Sequence, residues 1–128
     1  MQKYPGDRLV TTSISPGNSD LVAYSSTFSS GEEATIVVNT ATTSRTALIN
    51  INHFRHGSKY YWYALKPCTD NGEFSGKVNV NAANTAGTVG GPLSDNSINP
   101  FSADLSSQSI KIAIPARTTI YLAAERKR

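Results

Sequence analysis

Ile110-Lys111-Ile112-Ala113-Ile114-Pro115-Ala116-Arg117-Thr118-Thr119-Ile120-Tyr121-Leu122-Ala123-Ala124 is two alternating runs separated by a proline-containing break. Ile110, Ile112 and Ile114 alternate with Lys111 and Ala113, and Ile120, Leu122 and Ala124 alternate with Tyr121 and Ala123. A period of two puts each apolar set on one face of an extended strand, whereas a helix would scatter both sets around its circumference. The stretch therefore predicts two half-buried strands, near Ser109 to Ile114 and Thr118 to Ala124. A tight turn at Pro115-Ala116-Arg117 would join them as a C-terminal hairpin.

The same pattern extends outward along the chain. Short alternating or β-branched runs predict further strands near Arg8 to Ile14, Asp20 to Thr27, Ala34 to Asn39, Thr46 to Phe54, Tyr60 to Leu65, Gly72 to Asn81 and Asn96 to Asp104. Ala47, Ile49 and Ile51 form an inward row, with Leu48, Asn50 and Asn52 facing out. The breaks fall at Pro16-Gly17-Asn18, Ser29-Ser30-Gly31, His56-Gly57-Ser58 and Asp70-Asn71-Gly72, whose residues tolerate or demand turn dihedrals. No window carries a sustained helical period with caps. The fold class that follows is all-β: a two-sheet antiparallel β-sandwich of eight or nine strands, jelly-roll or immunoglobulin-like in topology. The longest stretch without a pattern is Asn81 to Asn96, with Gly90-Gly91-Pro92 inside it. A loop of that length in a small domain carries function or moves.

A chain of 128 residues is expected to form a single domain, 1–128, ending in the basic tripeptide Arg126-Lys127-Arg128 as a tail. That tail accounts for the net charge of +3 and leaves the body close to neutral, so no nucleic-acid partner is expected. Charged residues make up only 16% of the chain, and Ser, Thr, Asn and Gly dominate the polar remainder, as in secreted β-rich modules. The single cysteine, Cys68, forms no intramolecular disulfide, so the core alone must hold the fold. No apolar run approaches membrane-spanning length and no charged-then-apolar leader follows Met1. The expectation is a secreted or extracellular domain that belongs to a larger protein, with no membrane contact and no signal peptide in these residues.

Tyr60-Tyr61-Trp62-Tyr63 places rings on both faces of one strand. Tyr60 and Trp62 share one face; Tyr61, Tyr63 and Leu65 share the other. One set can fill the core while the other meets solvent, a partner domain or a ligand.

Asp7-Arg8-Leu9-Val10-Thr11-Thr12-Ser13, Leu21-Val22-Ala23-Tyr24-Ser25-Ser26-Thr27-Phe28, Thr35-Ile36-Val37-Val38-Asn39, Asn52-His53-Phe54 and Tyr60-Tyr61-Trp62-Tyr63-Ala64-Leu65 form a progression along the chain. Together they resemble the C-terminal β-sandwich that follows the (β/α)8 barrel in retaining glycoside hydrolases of the agarase and related polysaccharide-degrading type. Phe74-Ser75-Gly76-Lys77-Val78-Asn79-Val80-Asn81, the Gly90-Gly91-Pro92 loop and Ile112 to Leu122 continue the likeness. Asn81-Ala82 departs from it where such proteins often carry Asn-Gly. The resemblance implies an accessory module without a catalytic site, because the acid and nucleophile carboxylates of such enzymes sit on the barrel.

The residues themselves agree. Glycoside hydrolysis needs two carboxyl groups about 5 to 9 Å apart across a cleft. Here most of Asp7, Asp20, Glu32, Glu33, Asp70, Glu73, Asp95, Asp104 and Glu125 lie in or beside turn clusters, where carboxylates serve solubility. Nothing around His53, His56, Cys68 or the serines resembles a nucleophile motif. His53 and His56 alone do not make a zinc site. No cofactor is expected: Asp70, Asn71 and Glu73 offer oxygens to a structural calcium ion but lack an alternating ligand loop. The glycines at 87, 90 and 91 precede neither a Lys-Ser/Thr pair nor a helix, which excludes a phosphate cradle.

What remains is the aromatic run. Sugar rings present apolar C–H faces, and a planar side chain beside hydrogen-bonding groups can stack on them. Trp62 with Tyr60, supported by Arg55, His56 or Asn52, fits that description. The expected function is a non-catalytic module that binds a polysaccharide or oligosaccharide for a glycoside hydrolase. Two alternatives stay open. One is a structural sandwich that docks on a catalytic barrel, with Tyr61, Tyr63 and Leu65 as core; the other is a self-assembling, adhesin-like β-domain.

Overall fold

The computed structural model describes residues 8–52, 55–67, 78–81, 83–84, 98–105 and 107–127. The described residues form ten strands and no helix. In chain order these are β1 (Arg8–Val10), β2 (Leu21–Thr27), β3 (Glu33–Asn39), β4 (Arg45–Asn50), β5 (His56–Pro67), β6 (Val78–Val80), β7 (Ala83–Asn84), β8 (Phe101–Asp104), β9 (Ser109–Ile114) and β10 (Thr119–Arg126). Every pairing is antiparallel. The large sheet runs β1-β2-β3-β10-β5-β6-β7, with β8 also on β5, and the small sheet is β4-β9. The all-β, two-sheet sandwich read from the sequence is the observed architecture.

β10 is the central strand, hydrogen-bonded to β3 on one side and β5 on the other. Its inward residues Ile120, Leu122 and Ala124 are almost completely buried, as are Ile110, Ile112 and Ile114 of β9. Each fully buried Ile or Leu contributes roughly 1.5–3 kcal/mol relative to exposure. These two rows, with Val37, Ile51 and Leu105, make the core. Each was legible as an inward face.

Their relation was not. The expected C-terminal hairpin does not form, because β9 pairs with β4 in the small sheet while β10 lies in the large one. Pro115-Ala116-Arg117 is a crossing between layers. Facing across the core, the two isoleucine-rich rows bury each other; side by side in one sheet, both would still need a cover.

Asn39 fastens that crossing. Its side chain is 1% exposed, and its amide Nδ2 donates to the carbonyls of Thr43 (2.9 Å), Ile114 (3.1 Å) and Pro115 (2.9 Å). Its Oδ1 accepts from the Ala41 N–H at 3.0 Å, and its own N–H donates to Thr118 O at 2.9 Å. One residue at the end of β3 thus satisfies backbone groups of both turns, which would otherwise be buried without partners. Arg45 adds a link to Asp20 at 2.6 Å. That pair is substantially exposed and is worth about 1 kcal/mol or less.

Other boundaries shift for identifiable reasons. β5 begins at His56, so the turn expected at His56-Gly57-Ser58 is strand, paired at His56 with Arg126. β1 ends at Val10 rather than at Ile14, and β8 begins at Phe101, with residues 98–100 outside the strand. Arg126 is still in β10, and Lys127 N donates to Arg55 O at 2.8 Å, so sheet pairing continues into the basic segment. The Asp70-Asn71-Gly72 turn, the Gly90-Gly91-Pro92 loop, His53 and Cys68 lie outside the described residues.

On the far edge of β5, β8 pairs with Lys59 to Trp62 and β6 with Leu65 to Pro67. Asn81 bridges the gap. Its Oδ1 accepts from Ala64 N at 2.7 Å, and its Nδ2 donates to Trp62 O at 3.3 Å and Asn99 O at 2.7 Å. The side-chain amide replaces a missing peptide group in the ladder. Asn81 has φ of 49°, a left-handed conformation that asparagine adopts more readily than most residues.

Candidate functional site

Cross-strand register decides which rings face where. Leu122 lies opposite Trp62 and Ala124 opposite Tyr60, so both aromatics share the inward face of β10. They are half-buried and pack against the core, with ring centroids 5.4 Å apart. Phe101 of β8, opposite Trp62, completes the cluster at 5.5 Å. The reading that made Tyr61, Tyr63 and Leu65 the core is reversed. Ile120 and Leu122 are the most deeply buried residues of the central strand, and whatever stands beside them must face inward.

The remaining candidates do not gather around the rings. His56 opens β5 and its Nδ1 lies 2.8 Å from Gly57 O. Arg55 and Asn52 are exposed and line a groove beside β4 to which neither Trp62 nor Tyr60 contributes. Seven residues separate Arg55 from Trp62, about 23 Å along an extended chain. Asn52 and Arg55 therefore share one place, Tyr60 and Trp62 another, and His56 a third. Among the described residues no group of three or more His, Cys, Asp or Glu side chains could hold a metal ion. Asp70, Asn71 and Glu73 lie outside the described residues. No helix among the described residues is long and apolar enough to cross a membrane.

Among the described residues, the opposite face of the large sheet keeps apolar side chains exposed. Register aligns Tyr24, Ile36, Tyr121 and Tyr63 in one row across β2, β3, β10 and β5. Val22, Val38, Thr119 and Leu65 form the next row, and Ser26, Ala34, Ala123 and Tyr61 the third. None of these twelve side chains is charged. Tyr24 is 63% exposed, Leu65 42% and Val22 37%. In the third row Ser26 and Ala34 are buried, so the open part of the face is the first two rows, roughly 14 Å across the strands and about 7 Å along them.

A polar border closes the third row. Tyr61 Oη donates to Glu125 Oε1 at 2.9 Å, and Ser58 Oγ donates to Oε2 at 3.4 Å. The Glu125 hydrogen bond, with burial and the carboxylate charge adding to it, pushes the Tyr61 phenol above its ordinary pKa. The bond ties the Tyr61 hydroxyl to Glu125 at the end of the row. The sequence reading missed Tyr24 and Tyr121. Their alternation was visible, but only the register of four strands sets them in one row with Tyr63.

Several solved structures share this arrangement. The chain is similar to part of CelM2, a bifunctional glucanase-xylanase protein from a metagenome library, at 19% identity and a TM-score of 0.58 over 88% of this chain and 17% of that one. It is similar to a GH30 endoxylanase from Clostridium papyrosolvens C71 at 13% identity and 0.56, over 91% of this chain and 23% of that one. The arabinose-bound MgGH51 α-L-arabinofuranosidase matches at 14% and 0.60, over 95% and 17%. The fold is one that glycoside hydrolases carry. The chain spans less than a quarter of the length of these three enzymes. No protein-family model and no curated protein sequence matches it.

One carboxyl is worth following by pH. Burial pushes Glu33, half-buried at the start of β3, above its ordinary value. A carboxyl that holds its proton more tightly when folded loses stability as pH rises through its folded pKa, and none is lost below the unfolded one. Glu33→Gln should therefore raise the urea midpoint at neutral pH, with the difference vanishing below about pH 4. Equal midpoints for the two proteins at neutral pH would show that burial costs this carboxylate nothing.

Proposed function

We propose that the protein is a non-catalytic accessory module of a polysaccharide-degrading glycoside hydrolase, and that it docks on the catalytic domain through the outer face of its large sheet. The observation that carries this reading is the uncharged surface made by two rows, Tyr24-Ile36-Tyr121-Tyr63 and Val22-Val38-Thr119-Leu65, on which Tyr24, Val22 and Leu65 stay exposed. Apolar surface of this extent in a soluble domain marks an interaction site. The fold match supports the choice of partner. In enzymes described as a glucanase-xylanase and an endoxylanase, the equivalent fold accounts for about a fifth of the chain. Tyrosines beside valine, isoleucine and leucine suit contact with another protein surface, since each joins a large apolar ring to a polar tip.

The test is sedimentation velocity on the 128-residue protein with its face uncovered. Reversible self-association at tens of micromolar, abolished by Tyr24→Asp or Val22→Asp in folded protein, is the expected result. A strict monomer at millimolar concentration would refute a docking face of this size.

Sugar recognition is the second reading, and the Tyr60, Trp62 and Phe101 cluster favours it. Phe101 is partly exposed beside Trp62. Titration with oligosaccharides of agar, xylan, mannan, pectin and cellulose, followed by Trp62 fluorescence, tests it directly. Saturable quenching retained by Tyr24→Asp would move the function to those rings; a flat response across the panel would remove them from it.

A further inference from the structure

Among the described residues, the small sheet leaves part of the inner face of β2 and β3 uncovered. Between β4 and the inner face of β2 and β3 runs an open groove of about 1130 Å³, with Leu21, Ala23 and Val37 on its floor and Thr46 to Ile51 along one wall. No residue of β9 lines it, so β4 is the strand of the small sheet nearest β2 and β3. The groove exceeds the roughly 300–1,000 Å³ of ordinary small-molecule sites.

The wall has a specific chemistry. Ile51 N donates to Gln108 O at 2.9 Å, continuing the β4-β9 register. In an antiparallel pair the residues that exchange backbone bonds alternate, so Arg45, Ala47 and Ile49 spend theirs on β9. Thr46, Leu48 and Asn50 then turn both N–H and C=O the other way, toward the groove. Among the described residues these six groups have no backbone partner. A bare edge above an apolar floor is half of a strand-binding site: the backbone ladder is offered by β4, and alternate side chains of an added strand would reach Leu21, Ala23 and Val37.

We propose that this groove accepts an extended strand of a partner polypeptide, about six residues long, which becomes the third strand of the small sheet. The six residues of β4 span about 20 Å, which sets that length. The strand's inward positions must be small or medium apolar side chains. Arg55 and Arg126 stand at one end of the groove against the single carboxylate of Glu33, so that end suits an acidic residue. A second copy is sterically unsuitable as the partner. Two β4 edges paired about a twofold perpendicular to the sheet would drive the overhanging β1-β2-β3 of each copy into the same space. A single strand would lie between β4 and the Val10 to Pro16 segment, which also lines the groove. The docking face lies on the other side of the large sheet, so this inference does not depend on it.

The experiment selects random linear nonapeptides displayed on phage against the folded protein, then measures amide hydrogen exchange with a synthetic winner bound. Enriched sequences are expected to alternate apolar and polar residues and to carry an acid at one end. Binding should slow exchange at Thr46, Leu48 and Asn50 at least tenfold. Leu48→Pro removes one outward N–H and should weaken binding at least tenfold. Should that variant fail to fold, Thr46→Pro, which removes another outward N–H at an exposed position of the same edge, serves the same purpose. No enrichment, or winners that leave those three amides unprotected, would overturn the proposal. So would xylan or cellulose oligosaccharides that protect the same amides, since the groove would then be a sugar cleft.

Discussion

Replacing Asn39 by alanine is expected to lower the unfolding free energy by about 3–4 kcal/mol, a large part of the roughly 5–15 kcal/mol that holds a small domain together. The side chain is 1% exposed and its amide reaches three carbonyls, at Thr43, Ile114 and Pro115, while its oxygen takes the Ala41 N–H. Alanine removes all of these at once and leaves several backbone groups desolvated, each costing about 1–3 kcal/mol where water does not reach it. The effect is structural in a second sense. Two of the three carbonyls belong to the crossing from β9 to β10, so the substitution loosens the join between the sheets. Urea melts of the two proteins measure the difference. Asn39→Asp should be no better, because it keeps the acceptor for Ala41 but turns a second oxygen toward the three carbonyls. A loss below about 1 kcal/mol would mean that the amide is not what holds the crossing.

Trp62→Ala is expected to cost about 2–3 kcal/mol, somewhat under the 3–5 kcal/mol typical of a fully buried aromatic because the ring is only half-buried. Trp62 stands opposite Leu122, the central residue of the central strand, and holds Tyr60 and Phe101 through ring contacts at 5.4 and 5.5 Å. Removing the indole opens a space under β8 and unsupports both neighbours. Trp62→Phe keeps an aromatic ring there and should recover most of the loss. The consequence for the sugar reading is practical. Loss of a sugar response in Trp62→Ala would report damage to the core as readily as loss of a binding ring. A stable Trp62→Phe variant separates the two, with binding followed by calorimetry in place of tryptophan fluorescence. If Trp62→Ala melts like the parent protein, the ring is not part of the core and sugar stacking gains ground.

Both predictions rest on residues whose roles read differently in the sequence and in the fold. Asn39 closes a β-branched run and could be taken for a turn residue. Its partners lie 4, 75 and 76 residues away, and no local pattern announces such distances. Trp62 was visible at once, but the alternation that separates it from Tyr61 does not say which face is inward. That choice came from Leu122, sixty residues on.

The alternation of Ile110 to Ile114 and of Ile120 to Ala124, repeated in Ala47, Ile49 and Ile51, determined by itself that the protein is an all-β sandwich and which rows face the core. A period of two is a property of the extended chain and survives in any sheet. Pairing is not local. That β9 and β10 face each other across the core, that Tyr24, Tyr121 and Tyr63 align on the outer face, and that β4 keeps a bare edge above a groove were decided only by the tertiary structure. Hydrogen-bond register between strands far apart in sequence fixes those relations, and each follows from where the buried rows of the whole chain can be covered together.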